Sequence, residues 1–402
     1  MPHDLLILGA STRAAAFSAL KSGFQPHCAD YFADRDLAAV CPVDRIDPRR
    51  AARQFAEWAE SFAPSPWFYT GGLENDPDCV ERISRRHALW GIDAQTVRAV
   101  RNPGRVADIL ASNGIPCPAV RSDLRGLPRD ASWLKKPLAS GGGRGIEPLT
   151  DQNDTASAAH YYQERIDGPS FSALFMGERS RARLIGVTRQ WIGIEGSPFG
   201  YLGSIGPVPT PAPLASRLES LGNTLALAFD LAGWFGVDFV LRDGIPWPVE
   251  VNPRYTASLE IHELASGRSL ISEHRQACEA STDRNEAPAR AHSPSTRMIV
   301  KWILHSPRRL VAPEIVIDEN ESHDLFGVRP IADVPWPGTC FDAGEPVMTL
   351  MAAGADMAEC ELRLIRLEQM WAERLGIVGG QLITSALSSC GSSRGSGDDV
   401  IL

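Results

Sequence analysis

The sequence predicts an α/β protein of two or three domains, on three observations. Residues 4–30 read strand, helix, strand. Residues 236–255 read as a β-hairpin that can gather two carboxylates and an amide, Asp238, Glu250 and Asn252, on one surface. At 402 residues the chain is too long for one compact core. Hydrophobic content of 44% and charged content of 22% are ordinary for a globular protein.

Net charge of −9 argues against nucleic acid as the main partner, while leaving room for a local basic pocket. No apolar run approaches the roughly 18 residues that would cross a membrane. The opening Met1-Pro2-His3-Asp4 lacks the basic region of a signal peptide, so a cytoplasmic location is expected. The cysteines at 28, 41, 79, 117, 278, 340, 360 and 390 form no CxxC, so neither disulfides nor structural zinc are expected.

The first strand is the apolar run 4–9, followed by an alanine-rich helix over 10–22 that Gly23 ends. Residues 24–30 restart as a strand ending in Asp30, which suits a substrate hydroxyl or a plain polar strand end. The dinucleotide fingerprint is missing, because Gly9-Ala10-Ser11-Thr12-Arg13 has no second or third glycine at the required spacing. A helix is expected over 49–62 and a strand over 67–70. The loop Gly71-Gly72-Leu73-Glu74-Asn75 then lies at a strand's carboxyl end, where open α/β sheets bind ligands.

Residues 103–112 read as a helix, and 115–118 restart in extended form. The strand 132–137 leads into Ser140-Gly141-Gly142-Gly143-Arg144-Gly145-Ile146. Such a loop can bring backbone N–H groups close to phosphates and can also move. It is not a Walker A loop, since no Gly-Lys-Ser/Thr follows. Strands are expected at 161–168, 170–175 and 182–188, and a helix at 216–232. Residues 283–296 look like a linker. Strands at 300–304, 328–331 and 346–352 with a helix at 360–375 suggest a small β-rich final domain, and the Ser/Gly-rich tail 385–399 suggests disorder.

The hairpin is the most informative stretch. Asp238 lies on its first strand, Asp243-Gly244 at its turn, and Glu250 and Asn252 on one face of its second strand. Three hard oxygen donors on one surface suit Mg²⁺, which keeps phosphate oxygens and water in its other positions. A plain two-residue turn would pair 238 with 249 and put Glu250 on the wrong face. We therefore expect a three-residue loop, or a bulge at Gly244, that pairs 238 with 250. Pro246 and Pro248 imply an edge strand, and Arg254 just beyond could meet phosphate charge.

Taken in order, Lys136-Pro137, the loop 141–145, Gln163-Glu164-Arg165-Ile166 and Glu250-Val251-Asn252-Pro253-Arg254 resemble the ATP-grasp superfamily, over roughly residues 4–270. The nearest group is the predicted ATP-dependent carboligases related to biotin carboxylase. The resemblance implies an ATP-grasp fold (α+β in the nucleotide domain), with a βαβ pre-domain at 1–102, an ATP-grasp domain at 103–280 whose lid spans about 115–175, a linker at 281–297, a small C-terminal domain at 298–384 and a disordered tail at 385–402. It implies ATP with two Mg²⁺ ions, replaceable by Mn²⁺, as cofactors.

Residue by residue, the resemblance implies that Lys136 meets the α-phosphate, and that backbone around Gly141, Gly142, Gly143 and Gly145 covers the outer phosphates. Glu164, Arg165 and Ile166 would read the adenine edge. Asp238, Glu250 and Asn252 would hold the metals, and Arg254 would steady the transferring phosphoryl group. Two features depart from the family. The place of an early nucleotide lysine falls on Pro103, with Arg105 two residues away, and the acidic ribose contact falls near Ser170.

The activity implied is ligation of a carboxylate to an amine through an acyl phosphate. Small-molecule carboxylate and amine substrates, a homodimer, and no nucleic acid or membrane go with it. Arg13, Glu74, Tyr255 and the segment 200–207 are further substrate-site candidates. A bicarbonate-activating carboxylase and a catalytically inactive nucleotide binder are the alternatives.

Overall fold

The computed structural model describes residues 3–151, 158–194, 196–280, 297–316 and 327–377. The expected linker at 283–296 and the tail from 385 lie outside them.

The first layer is a parallel sheet. It contains β1 (Asp4–Leu8), β2 (Gln25–Asp30), β3 (Val43–Arg45), β4 (Pro66–Tyr69) and β5 (Ala88–Leu89), in the order β3-β2-β1-β4-β5. Leu5 to Leu8 are fully buried, as a central parallel strand covered on both faces demands. Asp30 proves to be a strand-end cap. Its carboxylate accepts from the Thr12 N–H and hydroxyl and from the N–H groups of Phe32 and Ala33.

A lid follows: β6 (Val120–Arg121), β7 (Asp130–Pro137), β8 (Glu147–Thr150) and β9 (His160–Glu164), ordered β6-β9-β7-β8. The remaining strands are β10 (Ser170–Arg179), β11 (Ala182–Ile194), β12 (Ser197–Gly206), β13 (Leu231–Arg242), β14 (Ile245–Asn252), β15 (Met298–His305), β16 (Leu310–Val311), β17 (Ile331–Ala332), β18 (Cys340–Phe341) and β19 (Pro346–Gly354). Eight of them form one antiparallel sheet, β14-β13-β10-β11-β12-β15-β19-β17. The C-terminal strands therefore extend the sheet that carries the hairpin; only β16 and β18 pair apart from it.

Strand alternation sorts the two faces of this sheet. Phe171, Phe175, Phe235 and Phe239 pack with Leu218, Leu221 and Leu225 of the helix Ala212–Phe229. Leu174 and Trp234 face the other way, onto Leu259 of the helix Ala257–Ser266. Asp238 shares the parity of Trp234, so it emerges on the face away from the long helix. Asp230, with φ 54°, ends that helix, and the strand begins at Leu231 although the sequence suggested helix to 232.

Among the described residues, no helix is long and apolar enough to cross a membrane.

Arg13, a substrate candidate from sequence, is instead a buried clamp between the layers. Its guanidinium holds both oxygens of Glu260, at 2.5 and 3.1 Å, and Asp333 at 2.8 Å, and Lys301 reaches Glu260 at 2.6 Å. Burial pushes the Glu260 carboxyl up, but Arg13 and Lys301 outweigh it and leave it well below the usual range. We expect Arg13→Met to destabilise the protein by about 3–5 kcal/mol, because buried carboxylates lose their partner. Thermal or urea unfolding measures this, and a loss under about 1 kcal/mol would refute the clamp.

Candidate active site

The hairpin β13–β14 decides the geometry. Asp238 pairs directly with Glu250, and Gly236 with Asn252, as the expected face required. The device differs from expectation. Asp243 and Gly244, at φ 54° and 70°, make a plain two-residue turn of the primed kind. The extra residue is Val249, since Phe239 pairs with Pro248 and the register shifts between Asp238 and Phe239. The bulge sits beside the carboxylates and re-aims Glu250 onto their common face. β14 is the sheet edge, which its two prolines demand.

The lid stands over this face and encloses a cleft of about 470 Å³. Lys136, Gly142, Gly143, Glu164, Arg165 and Ile166 line it from the lid side; Ser172, Gln190, Tyr201, Asp238, Glu250, Asn252 and Arg254 line it from the sheet. The Lys136 ammonium donates to Gln163 Oε1 at 3.0 Å and to the Val249 carbonyl at 3.2 Å. The bulge carbonyl thus anchors the lid's cation above the carboxylates. Gly141 and Gly145 belong to the same loop but are not among the cleft-lining residues.

The glycine loop is seated on β12. The Tyr201 N–H donates to the Gly142 carbonyl at 3.0 Å. Gly143 has φ +74°, and a Cβ there would fall 1.8 Å from the Phe199 carbonyl oxygen. Only glycine fits that contact.

Glu164 and Arg165 have their N–H groups committed within the lid, to the carbonyls of Ala119 and Ser132. Their side chains engage the Ala119 N–H and Asp167.

Two basic residues lie near the place of Pro103. Arg105 lies 5.4 Å over the Phe229 ring and is not among the residues lining the cleft. Arg101, which sequence reasoning missed, reaches Glu250 Oε1 at 2.5 Å. Arg254 donates to Glu74 at 2.6 Å, to Asn252 Oδ1 at 3.2 Å and to the Tyr255 carbonyl. Glu74 thus lies behind Arg254, which itself lines the cleft. Tyr255 is buried against Phe68 and Trp234 and is a core residue.

Residues 103–258 match the family model of the ATP-grasp domain. The chain carries an ATP-grasp domain. Over 369 residues it is 24% identical to an uncharacterized protein of Methanocaldococcus jannaschii, covering 86% of this chain and 87% of that one. Its fold is similar to the biotin carboxylase domain of Hydrogenobacter thermophilus 2-oxoglutarate carboxylase, solved with MgADP, ADP and bicarbonate; the TM-score is 0.70 at 12% identity, over 92% of this chain and 90% of that one. It is also similar to the L-amino acid ligase of Bacillus licheniformis, with a TM-score of 0.65 at 17% identity, over 91% and 97% of the two chains.

In this ATP-grasp domain the carboxylates are electrostatically poised for a cation. Burial, then the charge of Glu250, pushes the Asp238 carboxyl up to about 6. Burial also works on Glu250, but Lys136 and Arg101 outweigh it and hold its carboxyl below the ordinary range. N–H donors now occupy both: Arg101 on Glu250, and Asn252 Nδ2 (2.9 Å) and Gln190 Nε2 (3.2 Å) on Asp238. Two facing carboxylates, one held by a guanidinium and the other by neutral amides, with an amide oxygen adjacent, fit Mg²⁺. Among the described residues, no group of three or more His, Cys, Asp or Glu could hold a metal, so the set depends on the amide and on ligand oxygens.

The raised Asp238 carboxyl has a stability consequence. An unfolded aspartate titrates near 3.9, so the native protein binds the extra proton between about pH 4 and 6, and stability falls as pH rises through that window. Above pH 6 we expect metal-free Asp238→Asn to be more stable than wild type by roughly 1–2 kcal/mol, the shift being discounted for cleft water. The gain should shrink toward pH 4. Thermal melts in chelator at pH 5 and pH 8 measure it; a variant less stable at pH 8 would overturn the electrostatic account.

Proposed function

We propose that this protein is an ATP- and Mg²⁺-dependent ligase that converts a carboxylate to an acyl phosphate and passes the acyl group to an amine, with ADP and phosphate as products. One observation supports it above the rest: Asp238 and Glu250 face each other across the hairpin, beneath Lys136 and a seated glycine loop, in a cleft large enough for a nucleotide and a small acceptor. The similarity to an L-amino acid ligase is consistent with an amino acid or small carboxylate as substrate.

Asp238, Glu250 and Asn252 would hold two Mg²⁺ ions. When bound, the metal neutralises phosphate oxygens as charge moves off the γ-phosphoryl group. The chain's own residues do the rest. Lys136 supplies a fixed cation above the carboxylates. Backbone at Gly142 and Gly143 closes over the phosphates and keeps water from an acyl phosphate. The Glu250 and Asn252 side of the hairpin places Arg254, and Glu74 fixes its guanidinium plane, so that it meets the developing charge without reorganising. No nucleophilic side chain is required, because the acceptor amine attacks the acyl phosphate and phosphate leaves.

The test is ADP release against a panel of amino acids and small carboxylates, with hydroxylamine present to trap acyl phosphate as hydroxamate. Carboxylate-dependent ADP and hydroxamate are expected. Stimulation by bicarbonate alone would replace the ligase with a carboxylase, and tight ATP binding without turnover would leave a nucleotide-binding protein.

A further inference from the structure

Arg101 is bound up with the site in a way the reaction as proposed does not use. It caps the C-terminus of the helix Ala94–Val100 and spreads over three elements. One guanidinium nitrogen donates to Glu250 at 2.5 Å. Another donates to Asn75 Oδ1 at 3.0 Å and lies 3.3 and 3.4 Å from the carbonyls of Leu138 and Ser140, at the root of the glycine loop. Its side chain is 13% exposed, and that of Glu250 is 28% exposed.

We propose that Arg101 is a positioning residue that couples metal occupancy at Glu250 to the hold on the glycine loop. This rests on the metal reading given above. In the structure the guanidinium supplies the positive charge that Glu250 requires, at the oxygen a divalent ion would contest. Its planar fork allows one side chain to serve the carboxylate and the two loop carbonyls together. A cation arriving at Glu250 repels the guanidinium and loosens its grip on the loop root. By reciprocity, an intact grip weakens metal binding. The free protein thus keeps its loop fastened and Glu250 paired until metal enters.

The experiment uses nucleotide-free full-length protein, with Mn²⁺ alone as probe followed by calorimetry, and trypsin cleavage after the exposed Arg144 as the readout of the loop. Wild type should bind Mn²⁺, and Mn²⁺ should speed the cut at Arg144. Arg101→Met should bind Mn²⁺ about tenfold more tightly, since a neighbouring charge is gone, and should be cut quickly whether or not Mn²⁺ is present. Arg101→Lys keeps the charge but not the fork. It should show wild-type Mn²⁺ affinity with rapid cutting, a split that a merely structural role would not produce. If wild type binds Mn²⁺ while Arg101→Met shows the same affinity and the same Mn²⁺-dependent cutting, the coupling is wrong and the metal reading stands. If no protein binds Mn²⁺, either alone or with ADP present, both fall.

Discussion

Gly143→Ala is expected to fold as wild type does and to lose about two orders of magnitude in carboxylate-stimulated ADP release. The loop it alters lies on the surface and contributes no core contact, so thermal stability should hardly move. The seat is another matter. An alanine at φ +74° is strained, and its Cβ would fall 1.8 Å from a backbone carbonyl that cannot step aside. The loop must lift from β12, and displacement of about an ångström at a reacting group is enough for a 10²-fold loss. Hydrolysis of ATP without product should rise relative to ligation, because a lifted loop admits water to the acyl phosphate. A folded variant with wild-type turnover and coupling would show that the observed seat has no part in the reaction.

Glu250→Ala should be at least as costly, lowering turnover by about 10²–10³-fold, a loss typical when a principal electrostatic group is removed. Glu250 stands on an edge strand and half faces the cleft, so the fold should survive, as circular dichroism can verify. Arg101 retains Asn75 and the loop carbonyls as partners in the variant. Mg²⁺ dependence should shift to higher concentration as well. Turnover within a few-fold of wild type at ordinary Mg²⁺ would remove Glu250 from the metal assignment and with it the proposed chemistry.

What the sequence revealed and what it hid divide along a physical line. Glu250 and Asn252 are two apart on a strand, so period-two alternation assigns them a common face, and an Asp-Gly turn locates the hairpin. The requirement that Asp238 join them then forces a bulge, although the sequence does not display that the residue that bulges is Val249, whose carbonyl accepts from Lys136 and Gln163. Arg101 went unread for a similar reason. A single arginine at a helix C-terminus is what the helix dipole favours anyway, and its partners lie in three distant segments. Gln190 and Ser172 flank Asp238 only once the order β13-β10-β11 is known. Arg13 shows the opposite error: a charged residue after the first strand resembles a ligand contact, yet a two-sided salt bridge claims it for the interior.

The eight-stranded sheet has a bearing on how binding energy is distributed. β12 and β15 are neighbours in space, yet the whole hairpin and its following helices intervene between them in the chain. The hairpin edge is thus part of a long excursion whose ends are tied together by a ladder leading directly into the C-terminal strands. Opening that ladder would untether both flanks at once. Free energy gained when a nucleotide settles against β14 is therefore shared with β19, and ligand occupancy should slow amide exchange at the far margin of the protein as well as at the mouth of the cleft.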